Sequence, residues 1–146
     1  MAKITLVFIL FFFFLFITPS FAQSDKEEIL NTVQKLFDGF ATKDTLALRQ
    51  VLLPNGQFYS VREDSNQVIT KRTLHSDVIK RISMDQKQIR EVINNPRVLI
   101  HNRIAIVWTP YDFYINEKRS HGGVDAVSLL KTADGWKIAG IIYTVE

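Results

Sequence analysis

Apolar residues recur at helical spacing in the first part of the chain after residue 22. Intervals of one, three and four put them on one stripe of a helix: Ile29, Val33, Leu36, Phe37 and Phe40. The preceding Ser24-Asp25-Lys26-Glu27 fits a capping box, so this helix is predicted over residues 24–41. A shorter helix is predicted after Asp44 or Thr45, ended by the turn signature of residues 54–56, and a third over residues 73–83.

The rest of the chain alternates between apolar and polar positions, which is typical of strands. Strands are predicted over residues 57–62, 68–70, 87–93, 97–100, 104–115, 120–131 and 136–145. The turns between them are short, and short turns favour antiparallel neighbours. The sequence therefore predicts an α+β fold, in which one curved antiparallel sheet meanders and three early helices cover one of its faces.

The first 22 residues form a separate segment. Lys3 gives a positive start, residues 4–17 are apolar except for Thr5, and small residues precede Gln23. This pattern predicts a signal peptide over residues 1–22 and export to the periplasm or out of the cell. An uncleaved anchor is the alternative, but the run is shorter than the ~18 to 20 apolar residues that span a bilayer, so no stable membrane anchor is expected after cleavage.

Composition narrows the expected partners of the domain that begins at Gln23. The chain has a formal charge of +3, which falls to +2 without Lys3, and its basic residues are scattered, so no nucleic-acid partner is expected. There is no cysteine, which excludes disulfides and a lipid-modified cysteine. The three histidines lack metal-ligand spacing, and no nucleotide-binding motif is present, so neither a metal nor a cofactor is predicted. Residues 23–146 are long enough for one domain.

The C-terminal half carries a family resemblance. Residues 104–114 (IAIVWTPYDFY), 120–126 (SHGGVDA) and 134–139 (DGWKIA) resemble the nuclear-transport-factor-2-like (SnoaL-like) superfamily, in particular its small exported proteins described as putative lumazine-binding. The resemblance implies a cone-shaped, cystatin-like fold with a cavity at one end and an outer sheet face that often forms a homodimer. Isomerases, cyclases, dehydratases and adaptors share this fold, so the fold alone does not define the chemistry.

A hairpin register places candidate site residues on one face. If residues 116–118 form a three-residue loop, Phe113 lies opposite His121, Tyr111 opposite Gly123 and Thr109 opposite Asp125, whereas a two-residue loop would break this register. This face is polar at the end where a cavity could open. The predicted ligand-binding residues are Phe58, Trp108, Thr109, Tyr111, Phe113, His121 and Asp125.

Two of these residues are also catalytic candidates. A histidine such as His121 titrates near neutral pH, and an acid such as Asp125 can be tuned by burial in an apolar cone. Pro110 cannot donate to a ladder and marks a bulge or a sheet edge, which could put Trp108 on the same side as Tyr111. Tyr59 is a further candidate for a stacking wall. Core packing explains the aromatic residues equally well, and Trp136 and Ile138 are predicted to be core.

Three functions remain open from the sequence. The first is an exported domain that binds a small apolar or aromatic ligand. The second is an enzyme of the isomerase, cyclase or dehydratase type, with Asp125 or His121 transferring a proton. The third is a homodimeric interaction module that uses the outer sheet face, with Val124, Ala126, Ser128 and Leu130.

Overall fold

Three helices come before or between the first strands. The computed structural model describes residues 21–146 and their side chains from Ser24 onward. The helices are α1 (Phe21–Thr42), α2 (Thr45–Val51) and α3 (His75–Met84). The Asp44 carboxylate caps α2, as predicted, by accepting hydrogen bonds from the amides of Leu46 and Ala47. The predicted start of α1 is wrong: Ser24 lies inside the helix, because Ala22 and Gln23 are strong helix formers that extend it.

The apolar stripe of α1 is buried against the sheet, as its spacing predicts. Ile29, Val33 and Leu36 are fully buried, and Phe37 nearly so. Near the start of the helix the Asp25 carboxylate accepts a hydrogen bond from Trp136 Nε1 at 3.3 Å and pairs with the ammonium group of Lys131. These contacts fix the start of α1 to the sheet at Lys131 and Trp136.

The strands form one sheet that curves around the helices. They are β1 (Leu52–Asp64), β2 (Gln67–Leu74), β3 (Ile89–Ile93), β4 (Arg97–His101), β5 (Ile104–Ile115), β6 (Lys118–Thr132) and β7 (Gly135–Val145). The turn predicted at residues 54–56 is wrong, because β1 begins at Leu52 and an irregularity between Leu52 and Gln57 absorbs these residues. Gly56 is packed so closely that an added Cβ would lie 2.1 Å from the ring of His75.

The order of the strands departs from a simple meander. Their order is β2-β1-β7-β6-β5-β3, with β4 also paired to β5. The pair β1 and β7 is parallel, whereas every other pair is antiparallel. β3 and β4 do not pair with each other, because they lie end to end along the same edge of β5. The predicted α+β class is confirmed, with a curved, unclosed sheet around N-terminal helices.

The core lies between the concave face of the sheet and the helices. Val107, Val127 and Leu129 are at most 1% exposed, and Trp136 and Ile138 are buried as predicted. The described helices include none that is long and apolar enough to cross a membrane. The predicted signal peptide lies outside the described residues, apart from Phe21 and Ala22 at the start of α1.

Candidate functional site

The β5–β6 hairpin sets the register of the site. Its turn has two residues, Asn116 and Glu117, both with positive φ, as a tight hairpin turn of mirror-image type requires. The predicted three-residue loop is therefore wrong. The predicted register is nevertheless confirmed, because Ser120 forms a one-residue bulge that restores it: Phe113 pairs with His121, Tyr111 with Gly123, and Thr109 with Asp125.

A cavity of about 190 Å³ opens between the helices and the concave face of the sheet. Its volume is below the roughly 300 to 1,000 Å³ of sites for drug-sized ligands, so it suits a small molecule. Most of its wall is apolar or aromatic. The lining residues are Phe37, Phe40, Phe58, Thr73, Val78, Arg81, Ile82, Ile89, Glu91, Tyr111, Phe113, His121, Asp125, Ile141 and Tyr143.

Five of the seven predicted ligand-binding residues line this cavity: Phe58, Tyr111, Phe113, His121 and Asp125. Trp108 does not, because β5 keeps its pairing through Pro110 without the predicted bulge, and strict alternation sends Trp108 to the outer face. It is 53% exposed there. Thr109 faces inward but is fully buried outside the cavity lining, and its hydroxyl donates to the backbone oxygen of Asn94 at 3.2 Å. Tyr59 does not line the cavity either.

Two carboxyl groups meet at the cavity wall. Asp125 of β6 is 3% exposed, and Glu91 of β3, a half-buried residue absent from the prediction, is hydrogen-bonded to it. Asp125 Oδ2 is buried and receives no hydrogen bond from an N–H or hydroxyl group of the described residues. A proton on Glu91 is therefore the group that can satisfy the Asp125 carboxylate.

Burial and mutual repulsion determine how this pair ionises. Burial, followed by the charge and hydrogen bond of Asp125, raises the pKa of Glu91 well above its usual value. Burial also raises the pKa of Asp125 to about 6, while the hydrogen bond with Glu91 acts in the opposite direction. Both acids therefore keep their protons to higher pH than an exposed carboxyl group does, and because each affects the other, they do not titrate independently.

Tyr111 forms a fixed wall beside the carboxyl pair. Its hydroxyl donates a hydrogen bond to the backbone oxygen of Thr144 at 2.7 Å, and in the sheet Tyr111 is paired with Gly123 of β6. An added Cβ on Gly123 would lie 2.2 Å from that same oxygen, so glycine is required for this close packing. Burial raises the pKa of Tyr111, and the charges of Asp125 and Glu91 raise it further.

His121 packs against two aromatic rings at the cavity wall. It stacks on Phe113 with ring centres 4.9 Å apart and meets Tyr111 edge-on at 5.9 Å. Its Nδ1 lies 3.1 Å from the Ser120 hydroxyl oxygen. Burial, followed by the charge of Arg119, lowers the pKa of His121, which favours the neutral ring at pH 7.

A second histidine, His75, is buried behind the cavity wall. His75, at the start of α3, is 1% exposed, and its Nδ1 donates to the backbone oxygen of Leu53 at 2.8 Å. Its Nε2 is buried without a partner among the described residues, and burial lowers its pKa. The ring packs against Phe58, with centres 4.9 Å apart, and thereby supports one wall of the cavity.

Glu91 could have been found from the strand pattern. In residues 89–93 the alternation puts Glu91 on the same face as Ile89 and Ile93, and a lone charge on an apolar strand face is a signal of a functional or paired group. His75 offers no comparable signal. Within residues 21–146, no group of three or more His, Asp or Glu residues is arranged to hold a metal ion.

A curved sheet around an N-terminal helix, with a cavity inside, defines the nuclear-transport-factor-2-like, cystatin-like fold. An NTF2-like protein from Cytophaga hutchinsonii matches with a TM-score of 0.67 and 15% identity over 83% of this chain and 98% of its own. An NTF2-like superfamily protein from Salmonella enterica matches with a TM-score of 0.68 and 13% identity over 85% of this chain and 92% of its own. A protein described as a putative dehydratase of the NTF2-like family, from Streptomyces avermitilis, matches with a TM-score of 0.65 and 14% identity over 86% of this chain and 98% of its own.

These identities are low enough that the solved structures establish the fold alone. The sequence itself is more specific, because residues 24–144 match the family described as putative lumazine-binding. The chain belongs to that family, as the resemblance of its C-terminal half implies. No curated protein matches the sequence.

Proposed function

We propose that residues 23–146 form an exported domain that binds a small, largely apolar or aromatic molecule in the cavity. The observation that carries this proposal is the pair of carboxyl groups, Glu91 and the 3%-exposed Asp125, at the wall of a cavity that is otherwise mostly apolar and aromatic. Burial of such a group is unfavourable unless a hydrogen bond compensates for it. Phe58 and Phe113 would hold a flat ligand, while Asp125 and His121 would orient its polar atoms.

Native mass spectrometry of the protein, purified gently from the cells that make it, tests this proposal. We expect a bound molecule of defined mass that is retained in Asp134→Asn, an exposed acid in the β6–β7 turn, and lost in Asp125→Ala and His121→Ala. A protein that carries no molecule in any preparation, and takes up none from an extract of the same cells, would contradict ligand binding.

An enzyme is the second candidate, and the ionisation of the carboxyl pair favours it. A general base acts best when its pKa lies near the working pH, and the pKa of Asp125 is raised to about 6. Asp125 would remove a proton next to a carbonyl group, with Glu91 or His121 as the donor, in an isomerase, cyclase or dehydratase reaction. The test is turnover of the co-purified molecule: Asp125→Asn should abolish it while the protein stays folded, and unchanged turnover would exclude this role.

A homodimer is the third proposal, supported by the apolar outer face of the sheet. One row across β5, β6 and β7 contains Trp108, Ala126 and Ile142, and Trp108 and Ile142 are more than half exposed. Exposed apolar surface of this kind is typical of protein interfaces, and two copies could cover it symmetrically. Light scattering should give twice the monomer mass for the wild type and a single monomer mass for Trp108→Ser. A monomeric wild-type protein would contradict the proposal.

Export is proposed from residues 1–22 and is tested by the N-terminus of the protein in cells. Cleavage after Ala22 should give a periplasmic or secreted protein that begins at Gln23. A protein found only in the cytoplasm with Met1 in place would contradict export.

A further inference from the structure

Among residues 21–146, no lysine, arginine or histidine forms an ion pair with Glu91 or Asp125. Burial raises the pKa of Asp125 to about 6, so this carboxyl group, only 3% exposed, carries a negative charge above that pH. Burying an unpaired charge is costly, and a cation that contacts it removes much of that penalty. The pair thus has the electrostatic character of a site for a positively charged or strongly hydrogen-donating group.

The groups that face the pair do not supply that positive charge. Tyr111 of β5 donates its hydroxyl hydrogen to the backbone oxygen of Thr144, and the second phenol in the lining, Tyr143 of β7, cannot carry a positive charge. His121 of β6 has a lowered pKa. Arg81 of α3 is the remaining charged residue of the lining, and it is exposed, so water and salt screen its charge.

The other walls also favour a planar cation. Phe58 and Phe113 are aromatic lining residues, and the faces of aromatic rings attract cations. A planar group with two N–H donors on one edge matches the two oxygens of a carboxylate. A flat shape also suits a cavity of about 190 Å³.

We propose that the cavity takes a small planar ligand with an amidine-like or amino-heterocyclic cationic edge, which donates hydrogen bonds to Asp125 while its ring lies among the phenylalanines. The inference rests on the proposed function, because it assigns a ligand class to the same cavity. The ligand is bound as its cation, and the proton shared by Glu91 and Asp125 stays on the pair, so no covalent bond forms or breaks.

Three probes of nearly the same shape test the charge: benzamidinium, benzamide and benzoate. Calorimetry at pH 8 should show that benzamidinium binds at least about tenfold more tightly than benzamide and that benzoate binds most weakly, because a hydrogen bond to a charged group contributes about 1.5 to 3 kcal/mol. The benzamidinium affinity should fall about tenfold between pH 8 and pH 5 as Asp125 takes up a proton, while benzamide binding stays constant.

Two substitutions separate this role from a structural one. Asp125→Asn should weaken benzamidinium binding at least about tenfold and remove its pH dependence, with less than about threefold change for benzamide, since only the charge is lost. Asp134→Asn makes the same chemical change in the exposed β6–β7 turn and should leave all three affinities unchanged.

Each contrary result overturns the ligand class. Preference for benzamide or benzoate would show that the cavity binds ligands without needing a cation, so the proposed function would stand and the cationic class would fail. If none of the probes binds, the cationic class also fails, and the native mass spectrum then decides separately whether the cavity carries a ligand at all.

Discussion

Replacing Asp125 by asparagine should stabilise the protein at alkaline pH. The folded state raises the pKa of Asp125 from 3.8 to about 6, chiefly by burial. An acid whose pKa is raised by folding binds its proton more tightly in the folded than in the unfolded state. It therefore reduces stability above pH 6, and this penalty disappears as the pH falls from about 6 to below 3.8.

The size of the effect follows from the shift in pKa. One pKa unit corresponds to about 1.36 kcal/mol, so a shift from 3.8 to about 6 gives a penalty of about 3 kcal/mol at pH 8. Asparagine keeps the shape and removes the charge, but it loses the strong hydrogen bond with protonated Glu91. We therefore expect Asp125→Asn to raise the free energy of unfolding by about 2 kcal/mol at pH 8.

Urea unfolding followed by tryptophan fluorescence measures this difference. The stabilisation should shrink to about 0.5 kcal/mol or less at pH 4, because both the folded and the unfolded wild type then bind much of the same proton. The pKa of Glu91 falls when the Asp125 charge is removed, which adds to the stabilisation at pH 8, whereas the remaining titrating groups are common to both proteins and largely cancel. The exposed substitution Asp134→Asn should stay within about 0.5 kcal/mol of wild type at both pH values. A variant that is less stable than wild type at pH 8, or a difference that does not depend on pH, would refute the reasoning.

Three further substitutions test other parts of the site. Burial lowers the pKa of His75, so as the pH falls the unfolded state takes up a proton on this histidine before the folded state does. The free energy of unfolding of wild type relative to His75→Gln should therefore fall as the pH drops below 6.5. A difference in urea unfolding that does not change with pH would contradict this. Gly123→Ala should lower the free energy of unfolding by about 2 kcal/mol or more, because its Cβ would lie 2.2 Å from the Thr144 oxygen; thermal unfolding at wild-type temperature would show that the packing has been misjudged. Tyr111→Phe leaves that oxygen without the Tyr111 hydroxyl and should lower stability by about 1 to 2 kcal/mol, and an unchanged urea midpoint would argue against this bond.

The register of the β5–β6 hairpin could be predicted because a shift of one residue would reverse its faces. Such a slip would turn either Val107 or Val127 to the surface, and because both are fully buried, burial alone determines the pairing. The turn could not be fixed in the same way. A three-residue loop, and a two-residue loop with a bulge at Ser120, leave the residues beyond them in the same register.

The position of Trp108 was mispredicted because the sequence does not show where an edge strand breaks. Neither Thr109 nor Pro110 is paired with a residue of β3 or β4, since those strands end and begin around them, and on that side the Pro110 oxygen accepts from the amide of Asn94 between the two strands. The missing N–H of proline therefore disturbs no ladder, and no bulge forms. The same break explains why β3 and β4 share one edge of β5 instead of forming a hairpin.

The carboxyl pair lies beyond what local pattern can predict. Glu91 and Asp125 are 34 positions apart on strands that do not pair with each other, and they meet only through β5 and the curvature of the sheet. The parallel pairing of β1 with β7 is likewise a contact between distant segments. Alternation identifies which residues point inward, but it does not show which inward residues meet.

The central claim is that Glu91 and Asp125 hold one proton between them at the wall of the cavity. Carbon-13 NMR of the side-chain carboxyl groups, titrated from pH 3 to pH 9, tests this most directly. We predict that Asp125 titrates near pH 6 and that Glu91 titrates well above its usual range, each depending on the other, so that Asp125→Asn lowers the pKa of Glu91. Independent titration of both groups below pH 5 would contradict the account.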